Sequence, residues 1–427
     1  MAGLEVLGRS QLFNESNRDV VVTGIALRSA LGDLETTWAR LLAGETAVRS
    51  RLLFAGIPEH PIALIGEQPI ELVDLLDQTL VDLLKNLECN DRRPAQIHPA
   101  LPWSDCAVSI GSSRSMQRSW EAWHRSQMSL KTGEEVNKTG WLSEQRSRHS
   151  PPSVEPVIPW LETLPHTPAL RVAQQIGSHA AVLAPMAACA TGLWSIARAV
   201  LAIESGECDR VITGSVEAPI SPFTIATFDR MGALSHDACR PFDRARSGMV
   251  LGEGAALLML ESRQAAQQHR ARILGRIASV GMTADAHHIS APDPNIASAC
   301  AAVRQCLTRG QWHAGSVDYI HLHGTGTQLN DRREAELVHT LFPLGVAVSS
   351  TKGATGHTIG ASGAMGAVLC LKAIATQTLP PCVGTQDLEF ELDLLKEARS
   401  PLQPIRRTLC FSFGFGGQNV AIAIEHD

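Results

Sequence analysis

Apolar runs of strand type alternate with helically spaced apolar residues along this chain, and the alternation begins again after the polar stretch Gln264–His269. Short apolar runs between turn residues indicate buried strands, whereas apolar residues spaced by three and four indicate helices. The strand runs lie at 19–24, 106–111, 181–184, 210–214 and 249–260, and then at 273–281, 317–323, 346–350, 408–413 and 419–424. Two comparable rounds predict a duplicated α/β architecture with buried parallel sheets. Because no linker composition separates the halves, 19–262 and 270–427, we expect them to share one interface.

The composition argues against several classes of function. The 427 residues carry a formal net charge of −6, so we expect no basic surface for nucleic acid or an anionic membrane. No apolar run is expected to reach about 18 residues, the length that spans a membrane, and the first residues lack a signal-peptide pattern. The ten cysteines are scattered without a Cys-x-x-Cys pair, which argues against a zinc ribbon and a disulfide framework. Together these features predict a cytoplasmic protein.

Residues 112–168 differ in character from the rest of the chain. Four tryptophans lie here among polar residues, and four prolines oppose a long helix: Trp120, Trp123, Trp141, Trp160, Pro151, Pro152, Pro156 and Pro159. One interpretation is a surface excursion anchored by aromatic side chains. The other is a lid, a partner surface or a wall of an acyl pocket, because long loops often carry function.

Cys189 lies where a predicted strand is followed by a predicted helix. The run 181–184 is apolar, and helical spacing of apolar residues begins at Leu193 and continues until Gly206. Free backbone amides and the positive end of a helix dipole meet at such a junction, and both favour a thiolate. A cysteine is also among the residues most often buried for packing alone. The choice between nucleophile and packing residue depends on partners elsewhere in the chain.

Two histidine-containing stretches are candidate partners. The run 317–323 ends in His323-Gly-Thr-Gly-Thr327, a polar turn at a strand end of the kind that often binds ligands. His321 and His323 alternate onto one face, but no Cys or carboxylate stands at ligand spacing, so the sequence predicts no metal there. Lys352 and His357 lie five residues apart in a glycine-rich loop before a helix. This loop lacks the spacing of a phosphate-binding motif.

The stretch from Phe411 to Asn419, Phe-Ser-Phe-Gly-Phe-Gly-Gly-Gln-Asn, places glycines around Phe415. Such a turn can aim a backbone N–H at a reacting oxygen. A plain turn between two strands with a packed phenylalanine is the alternative.

Taken together, these motifs resemble the β-ketoacyl-ACP synthases of the elongating Cys-His-His type, found in fatty-acid and type II polyketide systems. The resemblance runs from about Val20 to Glu425, and five motifs occur in family order at suitable spacing. The main ones are Ala-Cys189-Ala-Thr-Gly, His323-Gly-Thr-Gly-Thr, Thr-Lys352 with Gly-His357, and Ser-Phe-Gly-Phe415-Gly-Gly-x-Asn. Three further stretches also resemble the family: Arg240-Pro-Phe-Asp243, Leu251-Gly-Glu-Gly254, and Asp285-Ala-His-His288 followed by Ala291-Pro-Asp-Pro294.

The resemblance implies the thiolase fold, with a duplicated five-layer αβαβα arrangement, a dimer, and an active site between the halves. It implies a decarboxylative Claisen condensation that gives β-ketoacyl-ACP, with both substrates carried on the phosphopantetheine of acyl carrier protein and no tightly bound cofactor. Cys189 would take the acyl group as a thioester. The backbone N–H groups of Cys189 and Phe415 would form the oxyanion hole. His323 and His357 would donate N–H groups to the enolate oxygen left by loss of CO2.

The remaining roles that the resemblance implies concern positioning and substrate binding. Lys352 and Glu334 would orient the two histidines electrostatically. Thr325 and Thr327 would line the pantetheine tunnel. The acyl-pocket residues would be Phe415, which gates the pocket, with Phe228 and Arg114.

The chain departs from the family pattern at several positions. Arg114 stands where a small or apolar residue is usual near the acyl pocket, and a buried unpaired cation is costly. Gly232 replaces an arginine that helps to dock the carrier, while His287 and His321 replace a frequent tyrosine and a frequent Asn or Glu. These departures favour a specialised pathway over housekeeping fatty-acid synthesis.

Three alternatives remain open at this point. One is a thiolase or non-elongating acyltransferase of the same fold; two histidines, in place of one histidine and a second cysteine, argue against the thiolase. Another is a chain-length-factor-like partner subunit, which the presence of Cys189 and both histidines disfavours. The last is a heterodimer in which this chain is the active member.

Overall fold

The computed structural model describes residues 18–90, 103–132 and 160–427. Its strands are β1 (Val20–Ser29), β2 (Gly32–Asp33), β3 (Arg49–Arg51), β4 (His60–Ala63), β5 (Ala107–Gly111), β6 (Val182–Leu183), β7 (Arg210–Glu217), β8 (Leu251–Gly252), β9 (Gly254–Ser262), β10 (Gly275–Ala284), β11 (Tyr319–His321), β12 (Ala347–Ser349), β13 (Asp393–Leu394), β14 (Arg407–Gly414) and β15 (Gln418–Glu425). Its α-helices are α1 (Leu34–Leu42), α2 (Leu72–Asn90), α3 (Gln117–Thr132), α4 (Thr167–Ile176), α5 (Thr191–Glu204), α6 (Pro222–Arg230), α7 (Arg263–Gln268), α8 (Ala297–Arg309), α9 (Gln328–Leu341), α10 (Lys352–Thr355) and α11 (Ser362–Thr376).

The two halves repeat one strand order. In the first half the order is β1-β9-β7-β5-β6, and in the second it is β10-β15-β14-β11-β12-β13. The pairing also repeats: the first two pairs of each half are antiparallel and the following pairs are parallel. β1 pairs antiparallel with β10, so that the two half-sheets join along Val20–Val22 and Gly275–Ile277. The predicted duplication is therefore visible in the backbone.

Five layers follow from this topology. Helices α5 and α11 pack against each other and against strands of both halves, so they form the middle layer. α2 and α4 cover the outer face of the first half-sheet, and α8 covers that of the second. The largest apolar cluster fills the interior between the half-sheets, with most of the buried residues of α5 and α11 in it. The expected five-layer αβαβα arrangement is confirmed.

One stretch has the length and composition of a membrane-spanning helix, contrary to the sequence-based expectation. Ile359–Thr376 has a mean hydropathy of 1.5 over 18 residues. In the fold, 83% of this stretch is buried, because α11 lies between the two half-sheets and is apolar on nearly every side. A helix that is hydrophobic all round is typical of such a central layer.

One local prediction differs from the structure. Gly24 was expected to end the first strand in a turn, but β1 continues to Ser29, and the pairing with β9 shifts register at Gly24. A Cβ at Gly24 would lie 2.6 Å from the side chain of Leu87, so the glycine allows α2 to approach the strand. In the 112–168 segment, residues 117–132 form the helix α3. Trp141 and the four prolines lie outside the described residues.

Candidate active site

The nucleophile candidate lies in a single 3-10 turn, Ala188–Ala190, directly before α5. Ala188 adopts a left-handed backbone (φ 48°), which is unfavourable for a residue with a Cβ. Thr191 stabilises this turn: its hydroxyl donates to the Ala188 carbonyl oxygen at 2.7 Å and accepts the N–H of Ala187 at 2.9 Å. The strained turn fixes Cys189 at the N-terminal end of the helix, as the sequence predicts.

Burial determines the protonation state of Cys189. Removal from water raises the pKa of the thiol to about 11, which outweighs the lowering by the Lys352 charge and by the Phe415 N–H. The expectation that the helix N-terminus favours a thiolate stays a prediction, and burial acts against it. Because the side chain is almost completely buried, loss of solvation is the largest effect. The thiol must transfer its proton when it attacks.

The β14–β15 turn lies directly against the candidate nucleophile, Cys189. The backbone N–H of Phe415 lies near enough to the Cys189 thiol to lower its pKa, and the Ser412 hydroxyl donates to the Cys189 carbonyl oxygen at 2.9 Å. A Cβ at Gly414 would lie 2.7 Å from the Ala187 carbonyl oxygen and 3.2 Å from the Cys189 nitrogen. Only glycine permits this approach, which places the Phe415 N–H beside the sulfur.

His323 follows the end of β11 and is held through its backbone. Glu334 accepts the N–H of His323 at 2.6 Å and that of Gly324 at 2.7 Å. The Lys352 ammonium donates to the His323 carbonyl oxygen. Burial raises the pKa of Glu334 to about 7 and lowers that of Lys352. Lys352 and Glu334 thus hold the main chain of His323, and their hydrogen bonds do not reach its ring.

His357 lies in the loop between α10 and α11. Its N–H donates to the Val250 carbonyl oxygen at 2.6 Å, and its own carbonyl oxygen accepts from Gly252 at 3.1 Å. The ring nitrogen Nδ1 lies 2.8 Å from the Ser362 hydroxyl in the first turn of α11. The backbone and Nδ1 are therefore both fixed, and Nε2 is the nitrogen available to the cavity.

The three side chains meet around one cavity. The Cys189 sulfur and one ring nitrogen each from His323 and His357 lie within 4.8 Å of one another. The two imidazole rings stand edge to face, with 5.4 Å between their centroids. Burial, together with the Lys352 charge, lowers the pKa of both histidines well below its usual value, so both rings are neutral at pH 7. The geometric condition for a joint active site is met.

The cavity has a volume of about 370 Å³. Besides the three side chains, its walls include Phe415, Thr325 and Thr327. The two threonine hydroxyls lie 2.9 Å apart. A cavity whose walls combine the three candidate side chains, apolar residues and two hydroxyls suits a partly polar chain such as a pantetheine arm.

The residues expected to form the acyl pocket lie at or near the same cavity. The Phe228 ring lines the cavity and lies 6.1 Å from the Phe415 ring between centroids. The guanidinium of Arg114 stacks over the Phe228 ring at 5.0 Å and is half-buried. A cation over an aromatic face gains about 0.5–2 kcal/mol. Arg114 is therefore accommodated behind Phe228 and does not itself line the cavity.

His321 does not belong to the site. Its Nε2 lies 3.2 Å from the Thr351 hydroxyl, and its ring lies against Gly366 of α11. β11 ends at His321, so His323 has left the strand and the expected shared face does not exist. Burial lowers the pKa of His321 to about 3, which keeps it neutral. No metal-binding pair forms from the two histidines.

Sequence reasoning missed two groups that shape the site. Ser362 holds Nδ1 of His357. In the sequence, only the position of Ser362 five residues after His357, where the loop meets the helix, could have suggested this contact. Glu217, fully buried at the end of β7, accepts hydrogen bonds from Ser113, Arg114 and Gly360 and lies close enough to raise the pKa of Cys189. The sequence could have indicated Glu217, because it places a carboxylate at the end of the buried strand β7.

Comparison with known proteins agrees with this geometry. Residues 17–266 match the family described as "Beta-ketoacyl synthase, N-terminal domain", and residues 274–386 match "Beta-ketoacyl synthase, C-terminal domain". A protein of Mycobacterium bovis named 3-oxoacyl-[acyl-carrier-protein] synthase 2 is 33% identical over 95% of this chain and 96% of its own length. The Staphylococcus aureus protein of the same name is 29% identical over 96% of this chain and 98% of its own.

Solved structures show the same fold. A type II polyketide ketosynthase determined with its acyl-carrier protein superposes with a TM-score of 0.82, at 23% identity, over 96% of this chain and all of that chain. A β-ketoacyl synthase from Burkholderia phymatum superposes with a TM-score of 0.77, at 24% identity, with coverage of 96% and 100%. The fold is thus the thiolase fold of the ketosynthases. On the family matches and the 33% identity over nearly the whole length, this chain belongs to the β-ketoacyl synthase family.

Proposed function

We propose that this protein is a β-ketoacyl-ACP synthase that condenses an acyl group held on Cys189 with malonyl-ACP. The observation that carries the proposal is the meeting of one thiol and two neutral imidazoles, within 4.8 Å of one another, in the wall of a single cavity. The curated relatives are named for the same reaction. The cavity wall and the backbone N–H of Phe415 complete the requirements for acyl transfer.

In the first half-reaction, the Cys189 sulfur attacks the thioester carbonyl of acyl-ACP. The tetrahedral oxyanion is stabilised by the backbone N–H groups of Cys189 and Phe415. Collapse forms the acyl-cysteine and releases the pantetheine sulfur, which takes up the proton that the thiol gave up. Both neutral imidazoles lie close enough to carry that proton, so the loss of one leaves a second carrier.

In the second half-reaction, malonyl-ACP loses CO2 and leaves an enolate on its thioester. His323 and His357 donate N–H groups to the enolate oxygen. The carbanion carbon attacks the acyl-Cys189 carbonyl, a carbon–carbon bond forms, and the cysteine sulfur departs as a thiolate. It then takes up a proton from water, because its original proton left with the pantetheine thiol of the first carrier. The product is β-ketoacyl-ACP. Neutral imidazoles are suited to this task, because each retains one N–H to donate.

Ser362 sets the tautomer of His357 in this scheme. When its hydroxyl donates to Nδ1 at 2.8 Å, the ring proton lies on Nε2, on the cavity side. Lys352 and Glu334 act on His323 as positioning residues, through the backbone contacts that fix the place of its ring. Thr325 and Thr327 contact the pantetheine arm, and Phe415 and Phe228 bound the acyl chain.

Neither a tightly bound cofactor nor a metal takes part in this scheme. The substrates arrive on acyl carrier protein, as the names of the curated relatives and the complex of the polyketide ketosynthase suggest. A dimer fits the exposed edge at β6, where Val182 and Met186 are 39% and 54% exposed. Two neighbours in the structure comparison are ketosynthases paired with a chain-length factor, and the same edge suits a heterodimer of that kind.

The proposal also covers where the protein is found in the cell and how the chain is divided into two halves. Nine of the ten cysteines, all except Cys89, are free thiols in the structure, which suits a reducing cytoplasm. The halves 19–262 and 270–427 contribute the nucleophile and the histidines respectively. The specialised pathway suggested by Arg114, Gly232 and His287 concerns acyl choice and carrier docking, and leaves the condensation chemistry unchanged.

Mass spectrometry of the intact protein after incubation with acyl-ACP tests the proposal. A synthase gains the mass of one acyl group on the peptide that contains Cys189, and malonyl-ACP then removes it as β-ketoacyl-ACP. A chain-length-factor-like subunit gains no acyl mass. A non-elongating acyltransferase is acylated but yields no product one two-carbon unit longer.

A further inference from the structure

A second group of potential metal ligands lies outside the active site. His60 begins β4, Asp229 lies in the last turn of α6, and His236 lies in the loop that follows α6. One ligand atom from each of these residues lies within 4.8 Å of the others. The rings of His60 and His236 are nearly parallel, with centroids 6.4 Å apart and an interplanar angle of 28°. The fold thus brings together residues separated by more than 160 positions.

His60 is the unusual member of this group. It is only 4% exposed, yet neither of its ring nitrogens has a hydrogen-bond partner. Buried polar atoms are almost always paired, and an unpaired one costs about 1–3 kcal/mol. A ligand bound to one nitrogen removes part of this cost. The neighbouring Asp229 and His236 are the groups placed to share such a ligand.

The spacing within the group suits an ion between the side chains. In the described parts of the chain, no hydrogen bond or ion pair within 4.0 Å joins His60, Asp229 and His236 to one another. Zn²⁺ binds His nitrogen and carboxylate oxygen at about 2.0–2.2 Å in tetrahedral geometry, which places ligand atoms about 3.4 Å apart. Asp229 and His236 are exposed and are free to close the remaining distance of about an ångström.

We propose that His60, Asp229 and His236 form a binding site for a single Zn²⁺ ion. Two imidazoles and one carboxylate are the donor types that Zn²⁺ prefers, whereas Ca²⁺ and Mg²⁺ prefer oxygen ligands. Three protein ligands leave the fourth position to water on the exposed side. The site is distinct from the Cys189, His323 and His357 group, and it does not depend on the proposed condensation.

The ion connects β4 to the end of α6, beside the cavity. Phe228, the residue before Asp229, belongs to the same apolar cluster as Ile62 of β4 and Cys189. Met231 and Gly232, which follow α6, line the cavity. A metal that joins His60 to Asp229 therefore holds this wall against the strand and limits its movement.

Titration of the full-length Cys189→Ser variant with Co²⁺ and Zn²⁺ tests the site. The serine removes the thiolate from the other candidate ligand group. We expect one equivalent of Co²⁺, with tetrahedral d–d absorption bands and no sulfur charge-transfer band, and displacement of Co²⁺ by Zn²⁺. In this background, His236→Ala and Asp229→Asn should each weaken binding at least tenfold. These two positions are exposed, so both variants should fold normally, which circular dichroism verifies.

His313→Ala is the matched control, because His313 is an exposed loop histidine outside both ligand groups. It should bind Co²⁺ as tightly as the parent. Hydrogen exchange adds an independent readout: Zn²⁺ should slow exchange in 60–63 and 222–230 of the parent but not of His236→Ala. Failure of the parent to bind the metal, or equal binding by the parent and His236→Ala, would overturn the proposal.

Discussion

The hydroxyl of Ser412, on β14 of the second half, donates a 2.9 Å hydrogen bond to the carbonyl oxygen of Cys189 in the first half. The bond has a counterpart across the approximate symmetry of the fold. Ser215, on β7 of the first half, donates at 3.1 Å to the carbonyl oxygen of Gly360 in the second. Each half thus holds the 3-10 turn of the other, and the site depends on both halves being docked.

Replacement of the nucleophile and of one histidine should separate the two half-reactions. Cys189→Ala should abolish acylation, because no other side chain in the cavity can form the thioester. His357→Ala should still be acylated, but condensation should fall by about 10²–10³-fold, the usual cost of one donor to a developing oxyanion. Intact-protein mass spectrometry and product analysis measure the two steps.

The exposed His339→Ala variant is the control for that pair and should retain both activities. If His357→Ala fails to acylate while it binds acyl-ACP normally, the assignment of His357 to the condensation step is wrong.

Gly414→Ala should disrupt the oxyanion hole without changing a reacting side chain. The new Cβ would lie 2.7 Å from the Ala187 carbonyl oxygen, so the β14–β15 turn must move away and take the Phe415 N–H with it. We expect the acylation rate to fall by about 10²–10³-fold. Stopped-flow measurement of acyl transfer gives this rate.

Gly416→Asn controls for changes in the turn itself. Gly416 has a left-handed backbone (φ 78°) with open space around a Cβ, and asparagine tolerates that conformation. This variant should acylate at nearly the parent rate. Parent-like acylation by Gly414→Ala as well would show that the close approach is not required.

Ser362→Ala should affect condensation selectively. Loss of the hydroxyl frees Nδ1 of His357 and allows the tautomer whose Nε2 lacks a proton. A lost hydrogen bond of about 1 kcal/mol corresponds to a roughly fivefold fall in kcat for condensation. Nitrogen chemical shifts of the His357 ring report the tautomer directly, and Ser279→Ala, remote on β10, is the control. Equal losses in acylation and condensation would argue for a general structural effect.

The reactivity of Cys189 towards iodoacetamide should rise steeply with pH. Because burial raises the pKa of the thiol to about 11, the alkylation rate should increase through pH 8 to 10 without a plateau near neutrality. Lys352→Met removes a charge that lowers this pKa, so alkylation at pH 8 should become slower, about tenfold for each unit of rise. Peptide mass spectrometry measures the rates.

Lys372→Met provides the control, since Lys372 pairs with Glu35 at the surface.

The raised pKa of the Cys189 thiol also determines how pH affects the stability of the fold. The contribution of the buried thiol to stability is complete below its ordinary pKa of 9.0 and is lost as the pH rises towards about 11. A plateau of alkylation near pH 7 would contradict the buried-thiol description.

Much of the architecture was predictable, because the spacing of apolar residues and the position of turn residues determine helices, strands and turns locally. The alternation of strands and helices, the duplication and the junction before α5 follow from such patterns, and the family resemblance, which the comparisons confirm, supplied the layers. The prediction at Gly24 was wrong because the sequence does not distinguish a glycine at a strand bulge from a glycine in a turn. Only the packing of α2 against the strand shows which one is present.

The site was predictable in its residues but not in its electrostatics. The motifs identified Cys189, His323 and His357, which the structure brings together. The pKa of Cys189 was not predictable, since it depends on burial by both halves, which no local pattern encodes. The His60, Asp229 and His236 group was missed for a related reason: no motif links residues that meet only in the folded chain.

The repeated turn explains why the proposed nucleophile occurs only in the first half. Gly360 occupies the place in the second half that Cys189 occupies in the first, at the middle of a 3-10 turn before a central helix. A Cβ at Gly360 would lie 2.6 Å from the carboxylate of Glu217. The second copy therefore has no room for a nucleophile of its own, and it serves the first copy as scaffold and as the supplier of His357.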